Sequence, residues 1–181
     1  MSRKAKNRGT EHVDADTQGR VLLQLDNPFW HFSQKVYAAP GVAAECLALQ
    51  RDLSIDVNVL LFCAWLGAGR RISLDAAAMA SVDDAVGSWH NTAVCPLRTV
   101  RENIKTLPEM AHEDVMALRK QVAASELRAE QIEQAMLFGW AEALSVQKCD
   151  GAPHVLVRSN IGTGPISIEV RISRVFSASK E

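Results

Sequence analysis

The sequence lacks any apolar run long enough to cross a bilayer. Its longest, Val57–Ala68 broken only by Asn58, falls short of the roughly 20 residues that a spanning helix needs and reads as a core helix. It also lacks a Cys-x-x-Cys pair. Cys46, Cys63, Cys95 and Cys149 have no histidine at zinc-finger spacing, so they are expected as free thiols in a reducing compartment. Net charge is nearly absent, with 20 Lys and Arg against 21 Asp and Glu. This removes any global attraction toward nucleic acid or an anionic membrane. Polar residues follow Arg3, Lys4, Lys6 and Arg8, so the apolar core of a signal peptide is missing and a cytoplasmic location is expected. Ser and Cys nucleophile motifs are absent, and Gly162-Thr163-Gly164 sits at no strand-to-helix junction, which makes it a turn and not a nucleotide loop.

What is present is the composition of one ordinary globular domain: 181 residues, 48% hydrophobic and 23% charged. Residues 1–21 are polar and are expected as a disordered tail, residues 22–148 as a helical domain, and residues 149–181 as an extension that forms a β-hairpin or stays disordered. The fold class expected is all-α, a single helical bundle around a buried central helix, with a short C-terminal hairpin as the possible exception.

Asp26-Asn27-Pro28 is a helix-start signal, and Phe29, Phe32 and Val36 then form an inward stripe up to Pro40-Gly41. A second helix places Val42, Cys46, Leu49 and Leu53 on one face. The third, capped by Ser54 or Asp56, is apolar all round from Val57, which means burial. Ser73 is expected to cap a short helix to Ala80, and Ser81 to start a longer one whose apolar phase runs unbroken through Pro96 to Leu107; either the helix kinks at the proline or Pro96 is the first turn of a new helix, and the unbroken phase favours the kink. From Glu109 to Leu144 the pattern is one long helix or two collinear ones, with a heptad-like seam of Val115, Leu118, Val122, Ala129, Ile132 and Met136. Ile166, Ile168, Val170 and Ile172 alternate with polar residues as a strand does, and Val155 and Val157 are expected in a partner strand.

Chemistry-bearing residues are few. Glu109 and His112 form one E-x-x-H unit where helical di-metal sites need two, and Asp83-Asp84 lacks the third acid of a diphosphate-binding motif; surface charge and helix-start electrostatics explain both. No metal and no cofactor is expected. Two Trp-His pairs on separate helices suggest a candidate pocket of Trp30, His31, Asp56, Asn58, Trp65, Trp89 and His90, although core packing is the simpler account of the tryptophans. The polar Asp56 and Asn58 at the start of the central helix could orient a histidine there; capping is the simpler role. Arg98, Arg101 and Lys105 share one helix face as a candidate anion contact, diluted by Glu102, Glu126, Glu130 and Glu133, so nucleic acid is disfavoured.

The stretch F-W-H-F-S-x-x-V-Y-A-x-P-G-V (Phe29 to Val42), C-L-A-L-Q (Cys46–Gln50), D-V-N-V-L-L-F-C-A-W-L (Asp56–Leu66) and C-P-L-R-T-V-R (Cys95–Arg101) resembles a family of short bacterial conserved hypothetical proteins known as a domain of unknown function. The resemblance covers roughly residues 27–145, implies a proteobacterial, cytosolic, helical protein, and supplies no catalytic residue. The functional expectation is therefore a small cytosolic interaction or adaptor protein, binding another protein or its own copy through Val115–Leu144. The alternatives are a small-molecule-binding protein or enzyme with a Trp/His-lined pocket, and a weak nucleic-acid binder.

Overall fold

Asn27 starts the first helix as its residues require: its side chain accepts from the Trp30 N–H at 2.8 Å, and Pro28 takes the first helical position, where no N–H is needed. In the computed structural model, which describes residues 23–144 and 149–161, seven α-helices follow one another and no strand occurs among the described residues. The fold is all-α. Helix α1, Pro28–Tyr37, buries Phe29, Ser33 and Val36. Gly41, at φ 82°, supplies the left-handed turn into α2, Val42–Leu53. Leu53, expected inward, is exposed where α2 ends, and Ser54 adopts a left-handed conformation at φ 53° as that helix's C-cap.

Asp56, not Ser54, caps α3, Val57–Ala64, by accepting from the backbone N–H groups of Asn58 and Val59. A π turn, Trp65–Arg70, extends α3, and Arg71 at φ 61° ends it. Every residue from Leu60 to Gly67 is buried, as its all-round apolarity demands. Phe62 and Trp65 stack with Phe29, Trp140 and Phe138 at centroid distances of 5.3–6.0 Å, and Val42, Leu49, Val82, Val86 and Leu137 close the core around them. Cys46 and Cys63 belong to this interior, whereas Cys95 and Cys149 are half-buried; all four are free thiols.

Two helices expected between Ser73 and Leu107 appear differently. Asp75 rather than Ser73 is the cap, and one helix, α4 (Ala76–Trp89), takes in the short helix and the start of the long one, because Ser81 lies on its exposed side and interrupts nothing. A π turn, His90–Val94, then leads straight into α5, Cys95–Lys105, with Pro96 in its first turn. The wider turn shifts the hydrogen-bonding register at the point where Pro96 has no N–H to give, so the apolar phase passes the proline.

A 3₁₀ turn at Pro108–Ala111 precedes α6, Glu113–Glu142, which the His112 ring caps by accepting from the Asp114 N–H. The C-terminal half of α6 buries Ala129, Ala135, Leu137, Phe138 and Ala141 in the bundle, while Met116, Leu118 and Leu127 nearer its start stay exposed. Residues 153–161, expected to hold a partner strand at Val155 and Val157, form α7, Pro153–Ile161, instead. A three-residue alternation is too short to outweigh a helix-starting proline. Asn160 fixes α7: its amide donates to the carbonyls of Ile72 (2.8 Å) and Cys63 (3.3 Å) and its oxygen accepts from the Leu74 N–H (2.6 Å). The strand pattern at Ile166–Ile172 lies outside the described residues. No helix among the described residues is long and apolar enough to cross a membrane.

Candidate functional site

Three elements meet at the N-terminus of α3. Asp56 comes from the cap, His90 from the π turn after α4, and Glu133 from the buried face of α6. His90 Nδ1 lies 2.9 Å from Asp56 Oδ2 and 3.0 Å from Glu133 Oε1. Asn58 holds the other oxygen of each acid: its backbone N–H donates to Asp56 Oδ1 at 2.8 Å and its side-chain amide to Glu133 Oε2 at 2.7 Å. The network continues inward, with Gln134 donating to Asn58 Oδ1 at 2.8 Å and Ser33 donating to Gln134 Oε1 at 2.6 Å. Glu133 is wholly buried, while the side chains of Asp56 and His90 are about one-fifth exposed.

The electrostatics follow from that geometry. Hydrogen bonds to Asp56 and Glu133 hold the His90 ring protonated, pushing its pKa up to about 10 against the cost of burial. Burial raises the Glu133 carboxyl, and the neighbouring Asp56 charge adds to it. Burial works most strongly against the charged form of Asp56, but its hydrogen bonds to His90, Glu133 and the Asn58 N–H, with the His90 charge, together outweigh it and leave that carboxyl below its ordinary range. Two acids therefore face one imidazole, with the three ligand-type atoms within 4.8 Å of one another, a set that could hold a metal ion.

On the other side of Asn58 a cavity of about 420 Å3 opens between α1, α2, α3, α5 and α6. Trp30, Leu47, Val57, Leu61 and Leu127 give it apolar walls, and Ser33, Asn58 and Gln134 a polar end. Arg98 and Arg101 line it too, but they are paired: Arg98 donates to Glu126 at 3.1 Å and Glu130 at 2.8 Å, and Arg101 to Glu126 and Glu102. Glu126 is almost completely buried between the two guanidiniums.

The structure thus brings together Asp56, Asn58 and His90, and sets Trp30, Arg98 and Arg101 in the adjoining cavity. It places the other expected residues elsewhere. His31 is exposed beside Asp26 at 2.7 Å, Trp65 is part of the aromatic core with Arg70 over its ring, and Trp89 donates to the Ala129 carbonyl at 2.9 Å. Lys105 is exposed at the end of α5.

Comparison with known proteins adds a family. The model of a family described as "Protein of unknown function (DUF2390)" matches residues 28–137. The chain belongs to this family. The matched segment runs from Pro28, the first residue of α1, into the buried half of α6, and so contains the whole Asp56–His90–Glu133 cluster and every residue lining the cavity. No curated protein and no solved structure matches the chain.

Sequence reading passed over Glu126, Glu130, Glu133 and Gln134, taking the acids as solvated charge. The signal was their phase. Glu126, Glu130 and Glu133 recur at i, i+4 and i+7 in register with the buried Ala129 and Leu137, so they face inward with the core. Acids at core phase need partners, and Arg98, Arg101 and His90 are those partners.

Proposed function

We propose that this chain is a small-molecule-binding protein whose ligand sits in the cavity beside Asn58. The observation that carries this reading is the cavity's two-sided lining, an apolar wall facing a cluster of oriented donors and acceptors, the usual composition of a ligand pocket. The ligand it fits is a compact amphipathic molecule, with an apolar body against Leu47, Leu61 and Leu127 and a polar end that both donates and accepts at Gln134, Ser33 and the arginine–glutamate pairs. A cytoplasmic, bacterial setting belongs to the same reading, supported by the four free thiols and the resemblance noted above.

A fragment screen by NMR tests it, using small aromatic amides as probes and the Trp30 indole N–H as reporter. Amides that shift this resonance, and lose at least about tenfold in affinity in Leu61→Trp and in the rim variant Leu127→Lys, support the pocket. Perturbations elsewhere, or equal binding in both variants, overturn it.

The interaction-protein reading keeps one support. Met116, Leu118 and Leu127 are exposed on the early part of α6, within the Val115–Leu144 seam, although Ala129 to Ala141 of that seam pack into the chain's own bundle. Light scattering across a hundredfold range of concentration distinguishes the two: self-association abolished by Leu118→Lys supports a homo-oligomer, and a monomer throughout removes it.

A further inference from the structure

We propose that Asp56, His90 and Glu133 form a binding site for a divalent first-row transition-metal ion. The claim is independent of the cavity, whose lining includes none of the three.

The donor geometry is the first argument. Ligands bound at about 2.1 Å and at right angles, as neighbours in an octahedral site are, stand about 3.0 Å apart. His90 Nδ1 is 2.9 and 3.0 Å from the facing oxygens of Asp56 and Glu133. The same spacing suits hydrogen bonds, so a metal takes the place of the ring proton between donors that already converge.

The second argument is how the site is held. Metal ligands keep their aim through outer hydrogen bonds to the atoms that do not bind the metal. Here one residue does this for both acids: Asn58 anchors Asp56 Oδ1 and Glu133 Oε2, and Gln134 and Ser33 in turn fix Asn58. Both remaining carboxylate oxygens are left converging on the imidazole. The donors also come from three separate elements, so the tertiary fold brings together a ligand that helix capping aims, Asp56, and two that it does not, His90 and Glu133.

Charge is the third. Two carboxylates, one of them wholly buried, share one imidazolium, and the charge of Asp56 reaches Asp83 and Glu130 as well. The cationic groups of the neighbouring α5, Arg98 and Arg101, are already engaged by Glu126, Glu130 and Glu102. A divalent ion with a neutral imidazole and two carboxylates is charge-neutral, and the proton displaced from His90, with any that the raised Glu133 carboxyl holds, leaves to solvent. Partial exposure of Asp56 and His90 gives the ion a way in and leaves room for water to complete its coordination. One nitrogen and two oxygens, with no sulfur, suit Zn2+, Mn2+, Fe2+ or Co2+; Ca2+ needs six or more oxygens.

Cobalt is the probe, because its spectrum reports the donors. The full chain, freed of metal with a chelator, is titrated with Co2+ and then with Zn2+ in competition. The expected result is one Co2+ per chain, visible d–d bands, and no thiolate charge-transfer band. Asp56→Asn retains a capping side chain and Glu133→Gln keeps its shape; each is expected to weaken Co2+ binding by at least about tenfold, as is Asn58→Ala through loss of the side-chain anchor on Glu133. Circular dichroism confirms which variants fold, and Asp56→Asn decides if Glu133→Gln does not. No saturable binding, a thiolate band, or unchanged affinity in folded Asp56→Asn overturns the site. A chain that takes Co2+ but no amide fragment, or the reverse, separates this proposal from the cavity reading.

Discussion

Asn58 touches both acids of the site, one through its backbone and one through its side chain, and so fixes how His90 titrates. The His90 pKa is raised to about 10 from an ordinary 6.5 because the folded protein binds its proton more tightly. The stability this contributes is complete below pH 6.5 and is lost as pH rises toward 10. In chelator, the urea midpoint is therefore expected to fall across that window, and the slope there should flatten in His90→Ala. A midpoint that is level in wild type from pH 6.5 to 10 counts against the ion pair. Glu126 offers a second test. Glu126→Ala leaves Arg98 and Arg101 short of their shared partner and should cost roughly 2–3 kcal/mol, less than a fully buried pair because the arginines keep some water. Asp56 and Asn58 were legible because a polar pair opening an apolar helix stands out against it, and His90 because it stands beside Trp89 as one of two Trp-His pairs. Glu133 was not, because its role depends on α4 and α6 lying side by side, which no local pattern encodes.

At the scale of elements, apolar phase carried the most information. It placed α1, α2 and α3, ran the α4–α5 unit through Pro96, and left α6 as one long helix or two collinear ones, of which the structure has the first. It could not show that a π turn precedes the proline, since intervals of three and four residues do not reveal which carbonyl each N–H bonds. Nor did it show α7, which the buried Leu156 and the Asn160 side-chain amide attach to the bundle. Asn160→Ala is expected to cost about 2–4 kcal/mol by leaving the Leu74 N–H and the Ile72 carbonyl unsatisfied. Hydrogen exchange at Leu74 should accelerate selectively, and unchanged protection there would show that α7 docks by other means. The α2–α3 junction offers the opposite effect: Ser54→Gly relieves a left-handed serine and should stabilise by roughly 1 kcal/mol in chemical denaturation.

For the molecule as a whole, the central position of α3 followed from composition alone, because a helix with no polar face has nowhere else to go. Phe62→Ala, at the middle of the aromatic cluster, is expected to cost about 3–5 kcal/mol, read from urea denaturation. The cavity was hidden for the converse reason: it is space left between five elements, and its arginines read as surface until α5 and α6 are paired. The distribution of the thiols gives this architecture a built-in clock. Burial pushes the Cys46 and Cys63 thiols up to about 11 and 12, so at neutral pH they are thiols, not thiolates, and shielded from reagents. An alkylating reagent should therefore find Cys95 and Cys149 first, and label Cys46 and Cys63 only when the core opens, so that the mass gained with time counts openings of the interior one molecule at a time.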